Sequence, residues 1–246
     1  MCAAGWEWCA MKLALFGFGH MARAAAAHAA GAGHQIGAVF TSRNTADVAR
    51  MLPGHDAAID FSAADAVPAH VDACAAAGVP LVEGTTGWQA REAAVRRVVD
   101  ERGAALIYGA NFSIGVNLFY QIVARSAALF HGLAGYDPFI EEAHHAAKRD
   151  APSGTALALK DILLRGLGRS DVPLTSTRAG HIPGTHRVGF DSLGDQVLLT
   201  HTARSRETFA AGALLAARWL SKGGRRGMYA FADVLDDMLA MERKAV

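Results

Sequence analysis

Residues 11–16 (MKLALF) form a short apolar run that stops at Gly17 and Gly19 and opens directly into an alanine-rich stretch, 21–30, of high helix propensity. A strand that passes through Gly-x-Gly-x-x-Ala into a helix leaves few folds open. Gly17 permits the tight turn, Gly19 lets backbone approach a pyrophosphate, and Ala22 is small enough for close helix–sheet packing. The helix start supplies free N–H groups and the positive end of a dipole. The turn residues Gly17, Phe18, Gly19, His20 and Met21 are therefore candidate dinucleotide contacts. A plain tight turn in another α/β protein is the competing explanation.

The pattern repeats downstream. Residues 35–40 (QIGAVF), 57–61 (AAIDF), 80–82 and 104–108 (AALIY) read as strands, and 64–77 and 89–102 as helices. Solid apolar strands alternating with helices predict a parallel sheet covered on both faces. After residue 113 the rhythm changes. A long apolar helix over 114–131 precedes a strand-like segment, 138–143, and a helix over 155–167. Residues 187–190 and 196–201 read as paired strands of an antiparallel or mixed sheet, and 208–220 and 228–239 as helices. The expected class is α/β: a Rossmann-type parallel-sheet domain, 11–112 and 206–246, with an inserted α+β substrate and oligomerisation domain, 113–205. Residues 1–10 are read as an extension, and Met11 as a candidate true start.

Composition excludes several functions. At 52% hydrophobic and 19% charged residues, 246 residues suffice for a substantial core. A net charge of +1 gives no footprint for nucleic acid or an anionic membrane. No apolar stretch reaches the length of a membrane span. The three cysteines, Cys2, Cys9 and Cys74, lack metal-ligand spacing and read as free thiols in a reducing, cytoplasmic setting.

After the second strand comes Thr41-Ser42-Arg43-Asn44, with no carboxylate to hydrogen-bond the ribose hydroxyls. Thr41, Ser42 and Arg43 would instead accept a 2′-phosphate, which favours NADPH over NADH, although NADH stays possible. An ordinary solvated arginine is the alternative.

The richest segment is 141–155, EEAHHAAKRDAPSGT. His144, His145, Lys148 and Arg149 gather within six residues, just before Pro-Ser-Gly-Thr opens a helix. Pro152 suits a helix first turn, and Gly154 and Thr155 then offer free N–H groups to an anion. A carboxylate could sit there with Lys148 and His145 adding charge, leaving one histidine as proton donor. Satisfied loop histidines are the bland alternative. A metal is the other rival, but adjacent histidines on a strand point apart and no third soft ligand is nearby in sequence, so none is expected.

This segment resembles the dihydrodipicolinate reductase (4-hydroxy-tetrahydrodipicolinate reductase) family of bacterial lysine and diaminopimelate synthesis. The family pattern E-A-H-H-x-x-K-x-D-x-P-S-G-T-A is matched at every fixed position by 142–156. Lesser blocks agree in order at 60–62, 84–87, 110–113, 178–186 and 201–206, so the likeness runs from about residue 11 to 239. It implies that His144 is the proton donor and Lys148 a second catalytic cation, with His145, Gly154 and Thr155 holding substrate carboxylate. Gly84, Thr85 and Thr86, with Gly109, Ala110, Asn111 and Phe112, would line the nicotinamide side. It further implies hydride transfer from NAD(P)H to a cyclic imine dicarboxylate, closure of two domains over it, and a homotetramer. The phosphate turn is shorter than is common in the family, and the short stretch 168–180 suggests a trimmed tetramer-forming part. Two other functions fit part of the pattern: reduction of a related imine or oxo acid, and a dinucleotide sensor without chemistry. The intact His144, His145 and Lys148 speak against the sensor.

Overall fold

The computed structural model describes residues 10–222 and 224–243. Most of the 1–10 extension, with Cys2 and Cys9, lies outside them, as do residues 244–246. The chain divides into two compact units, the described parts of Met1–Ile114 with Arg206–Val246, and Gly115–Ser205.

The first unit is built on a six-stranded, all-parallel sheet of β1 (Lys12–Phe16), β2 (Gln35–Phe40), β3 (Ala57–Asp60), β4 (Leu81–Glu83), β5 (Ala105–Tyr108) and β10 (Gly227–Ala230), in the order β10-β5-β4-β3-β1-β2. Four residues of β1 and all of β3 and β4 are buried, as solid apolar strands between two helical layers must be. The helices are α1 (His20–Gly31), the single turn α2 (Val48–Met51), α3 (Val67–Ala77), α4 (Glu92–Arg102), α7 (Glu207–Ser221) and α8 (Phe231–Arg243). Strand order reverses at β1, with β2 on one side and β3 on the other. That switch point opens the crevice where such sheets bind ligands. On one face α7 packs against α1 and against β3, β4 and β5. It can do so because Gly212 lacks a side chain: a Cβ there would stand 1.8 Å from the Phe112 carbonyl oxygen.

Two expectations need correction here. Residues 228–239 are not one helix, because β10 comes first and joins the parallel sheet beside β5. Helix α1 also runs through Gly31 rather than stopping before it.

The second unit carries a four-stranded mixed sheet of β6 (Asp137–His144), β7 (Leu174–Arg178), β8 (Thr185–Asp191) and β9 (Gln196–Thr202), in the order β7-β6-β8-β9. β7 lies parallel to β6, whereas β8 and β9 pair antiparallel. Helices α5 (Ile114–Phe130) and α6 (Gly154–Leu167) supply Phe119, Val123, Ala127, Leu159 and Leu163, which bury against Ile140, Val188 and Phe190 of the sheet. The stretch 168–180 is no bare connection, since β7 sits within it and pairs along β6. Cys74 is a buried free thiol. Among the described residues no helix is long and apolar enough to cross a membrane.

Candidate active site

In the first unit the glycine turn has the geometry a pyrophosphate requires. Gly17 has φ +83°, and a Cβ on it would fall 2.6 Å from the Phe61 carbonyl oxygen. Gly19 is the N-cap of α1 in extended conformation, with no side-chain cap and no acidic residue in the first turn. Phe18, Gly19 and His20 are exposed, Met21 is half-buried, and Ala22 is fully buried against the sheet. The helix start thus presents unopposed N–H groups and its dipole to an anion, so these residues fit a dinucleotide.

After β2, Asn44 ties the loop down. Its carboxamide oxygen accepts from the Thr41 N–H at 2.7 Å, and its amide donates to the Val39 carbonyl at 2.9 Å. Arg43 is exposed, and its guanidinium has no partner among the described residues. Beyond β4, the Gly84 N–H donates to the Asp60 carbonyl at 2.9 Å, the Thr85 N–H to Glu83 Oε1 at 2.7 Å, and Thr86 is exposed. Beyond β5, the Gly109 N–H reaches the Glu83 carbonyl, Ala110 is exposed, and Asn111 Oδ1 accepts from the Ser113 N–H. Phe112 differs from its companions. Its ring is buried against Phe61 and Phe231, so its part is core packing and only its backbone can meet a ligand.

In the second unit, β6 ends at His144, and the alternation of a strand decides which histidine faces inward. His144 is 9% exposed, whereas His145, one residue past the strand, is exposed. Two residues back on the same face, buried Glu142 presses Oε2 against His144 Nδ1. Its Oε1 accepts from the Arg178 guanidinium of β7 at 2.7 Å and from the Ser153 N–H at 3.3 Å. Burial alone would raise the Glu142 carboxyl. Hydrogen bonds from Arg178 and Ser176 and the nearby His144 outweigh it and hold the group at about 2. Burial lowers the His144 imidazole, and the Glu142 carboxylate offsets this only in part. The imidazole therefore has one end fixed and the other, Nε2, open. Gly184 keeps it open, because a Cβ there would lie 3.0 Å from Nε2.

The start of α6 adjoins this group. Ser153 is the N-cap, its hydroxyl accepting from the Ala156 N–H at 3.2 Å and meeting His186 Nε2 at 3.0 Å. Pro152 therefore precedes the cap and stands outside the first turn, contrary to the sequence expectation. The N–H groups of Gly154 and Thr155 remain at the helix start, with Gly154 exposed, and the Thr155 hydroxyl meets Tyr120. Lys148 is held by Asp150, its Nζ lying 2.7 and 2.9 Å from the two carboxylate oxygens. A bound anion must therefore compete with Asp150 for Lys148. The Asp150 carbonyl in turn accepts from Arg178 at 2.6 Å.

Glu142, His144 and His186 each bring a ligand-type atom within 4.8 Å of the others, so the third donor that sequence could not supply does come from β8. The donor set argues against a cation there. Arg178 already neutralises Glu142, and His144 closes on its second oxygen, which makes the group a hydrogen-bonded network. Sequence reasoning did not single out Arg178, His186, Ser153, Gly184 or Glu142 as site residues. Glu142 alone was within reach, since i and i+2 share one face of a strand.

A glycine turn at the switch point of a parallel sheet, and a unit bearing an imidazole, a guanidinium-backed carboxylate and an anion-ready helix start, define a pyridine-nucleotide-dependent oxidoreductase. The comparisons narrow the class. Models of the dihydrodipicolinate reductase N-terminus and C-terminus match residues 11–112 and 115–235, and the chain belongs to that family. It is 40% identical over 208 residues to a 4-hydroxy-tetrahydrodipicolinate reductase of Anaeromyxobacter dehalogenans, covering 77% of this chain and 76% of that one. It is 38% identical over 224 residues to the protein of that name from Laribacter hongkongensis, covering 83% and 82%. In fold it matches a dipicolinate-bound dihydrodipicolinate reductase from Paenisporosarcina sp. TG-14, with TM-score 0.74 at 20% identity over 92% of this chain and 99% of the other.

Proposed function

We propose that this protein reduces 4-hydroxy-tetrahydrodipicolinate to tetrahydrodipicolinate with NAD(P)H, in the synthesis of diaminopimelate and lysine. The observation that carries the assignment of roles is the chain Arg178–Glu142–His144 set beside the Ser153-capped helix start. The first unit serves the dinucleotide, through Gly17–Met21, Gly84–Thr86 and the loop 109–112. The second serves the dicarboxylate. When bound, the coenzyme supplies a hydride to the conjugated imine left after the 4-hydroxyl departs as water. The carbon next to the reduced position takes a proton from His144 Nε2. Glu142 on Nδ1 fixes the tautomer and steadies the imidazolium before it gives up that proton. Substrate carboxylate rests on the N–H groups of Gly154 and Thr155, with His145 and Lys148 adding positive charge where negative charge builds up.

Arg43 supports a preference for NADPH, since it is exposed, has no partner among the described residues and has no acidic neighbour in the loop 41–44. The protein acts in the cytosol as a homotetramer, and the exposed Val197 and Leu198 of edge strand β9 are consistent with association through the mixed sheet.

The direct test is an assay with freshly prepared hydroxy-tetrahydrodipicolinate and each reduced coenzyme. Lys148→Ala is expected to lower kcat/KM about 10²-fold or more while coenzyme affinity, read by calorimetry, stays unchanged. Near-normal turnover in that variant removes Lys148 from the mechanism. A selective loss of NADPH affinity in Arg43→Ala is expected, and equal losses for both coenzymes refute the preference.

A further inference from the structure

Beneath the loops that follow β3 and β4 lies a second acid group that the mechanism above does not use. Asp60 and Glu83 are the last residues of their strands and stand opposite one another in the parallel register, so their side chains share a face. Both are fully buried. Two carboxylates so placed cannot both stay ionised.

The hydrogen bonds show where the proton sits. Asp60 Oδ1 accepts from the Ser62 N–H at 2.8 Å and the Thr85 hydroxyl at 3.2 Å, and Oδ2 lies 2.6 Å from His70 Nδ1, which donates to it in the Nδ1–H tautomer. Glu83 Oε1 accepts from the Thr85 N–H at 2.7 Å, while Oε2 is buried with no donor directed at it. An orphan carboxyl oxygen beside a carboxylate is satisfied once it carries the proton and donates to that carboxylate. Burial and the Asp60 charge push the Glu83 carboxyl up to about 9, in keeping with this placement.

We infer that Glu83, in its protonated form, is a positioning residue for coenzyme binding: by bridging Asp60 and Thr85 it sets the loops Phe61–Ser62 and Gly84–Thr86. The inference rests on the proposal that the second of these loops lines the nicotinamide. Asp60 is thereby tied to Ser62, Thr85 and His70, and the His70 ring stacks 4.1 Å from that of Phe16, the residue that leads into the phosphate turn. Loss of the shared proton sets two negative charges side by side under both loops. The groups facing Glu83 are Asp60 from β3 and the Cys74 thiol from α3, with His70 behind Asp60. β5 places Tyr108 beside it in register, and α7 contributes only alanine, glycine, leucine and tryptophan to the buried layer. No cation among these relieves an ionised Glu83 directly.

The test is the dissociation constant for NADPH, measured by its fluorescence between pH 7.5 and 10, with thermal melts to confirm folding at each pH. In the wild type, affinity is expected to fall with rising pH, approaching tenfold per pH unit once Glu83 ionises. Glu83→Gln keeps an acceptor for Thr85 and a donor for Asp60 without a titrating proton, so its affinity should match the wild type at pH 7.5 and stay within about twofold to pH 10. Glu83→Leu removes both bonds and should bind about tenfold or more weakly at every pH. A flat wild-type profile, or an alkaline loss that persists in Glu83→Gln, overturns the inference. A separate variant, Thr86→Trp, checks the loop assignment. If it leaves affinity unchanged, the loop does not hold the coenzyme. If it abolishes binding while Glu83→Gln keeps the alkaline loss, only the role of Glu83 falls.

Discussion

The imidazole of His144 has to carry a proton that its surroundings discourage. Burial lowers it below the ordinary histidine range, and Glu142 restores only part of the loss. The free enzyme therefore presents a largely neutral imidazole near pH 7. Binding a dicarboxylate brings negative charge toward it and favours the protonated form. The expected consequence is a split between kinetic parameters. kcat/KM, which reports the free enzyme, should fall with rising pH on a limb below pH 6.5, whereas the limb in kcat should lie at higher pH. Steady-state profiles of both test this, and coincident limbs would count against charge-coupled protonation. Glu142→Gln should push the kcat/KM limb further toward acid and slow turnover about 10²-fold, because the carboxylate that favours the imidazolium is gone. At this scale the sequence was partly legible. His144, Lys148 and the Gly154–Thr155 start stand in one short segment, so local spacing exposed them. Arg178, Gly184 and His186 come from β7, from β8 and from the turn between them, and only strand pairing brings them to Glu142 and His144.

Elements were legible where local pattern and tertiary environment agree. The solid apolar runs of β1, β3 and β5 announce themselves, as do the Gly78 and Gly103 caps that close α3 and α4 with φ of 66° and 59°. β7 and β10 do not. The sequence of β7, LTSTR, has one apolar residue in five, and its strand state depends on pairing with β6. β10, GMYA, runs into α8 without a turn residue between them, so the helical pattern masks it. The start of α6 links element to function. Ser153 caps that helix and also contacts His186 and Glu142, so Ser153→Ala should cost about 1 kcal/mol of stability in denaturant titration. It should also raise KM for the dicarboxylate more than it lowers kcat, since the cap orients the N–H groups proposed to hold carboxylate. Unchanged KM would restrict Ser153 to folding. Gly212→Ala in α7 should destabilise by about 3 kcal/mol or more, because the obstacle is a backbone carbonyl that cannot rotate away.

At the scale of the molecule, the buried groups with the largest shifts fall on opposite sides of neutrality in the two units. In the second unit His186 is held at about 4, chiefly by burial and then by its neighbour His144, so its contribution is complete above pH 6.5 and disappears as pH falls through 4. Glu142, held at about 2, acts in the same sense: its contribution is complete above pH 4.5 and disappears as pH falls toward 2. In the first unit Glu83 is raised to about 9, so its contribution is complete below pH 4.5 and declines as pH rises through 9. Acid should therefore loosen the mixed sheet first and alkali the parallel sheet first. Native-state hydrogen exchange, normalised for the intrinsic pH dependence of exchange, resolves the two. Protection of β6 and β8 amides should drop relative to β3 and β4 between pH 6 and 4, with the reverse between pH 6.5 and 9. Glu83→Gln should abolish the alkaline half of this pattern and leave the acid half intact. That separation can arise only if each unit answers to its own buried groups, so parallel loss of protection in both sheets at either extreme would show that the two units unfold as one.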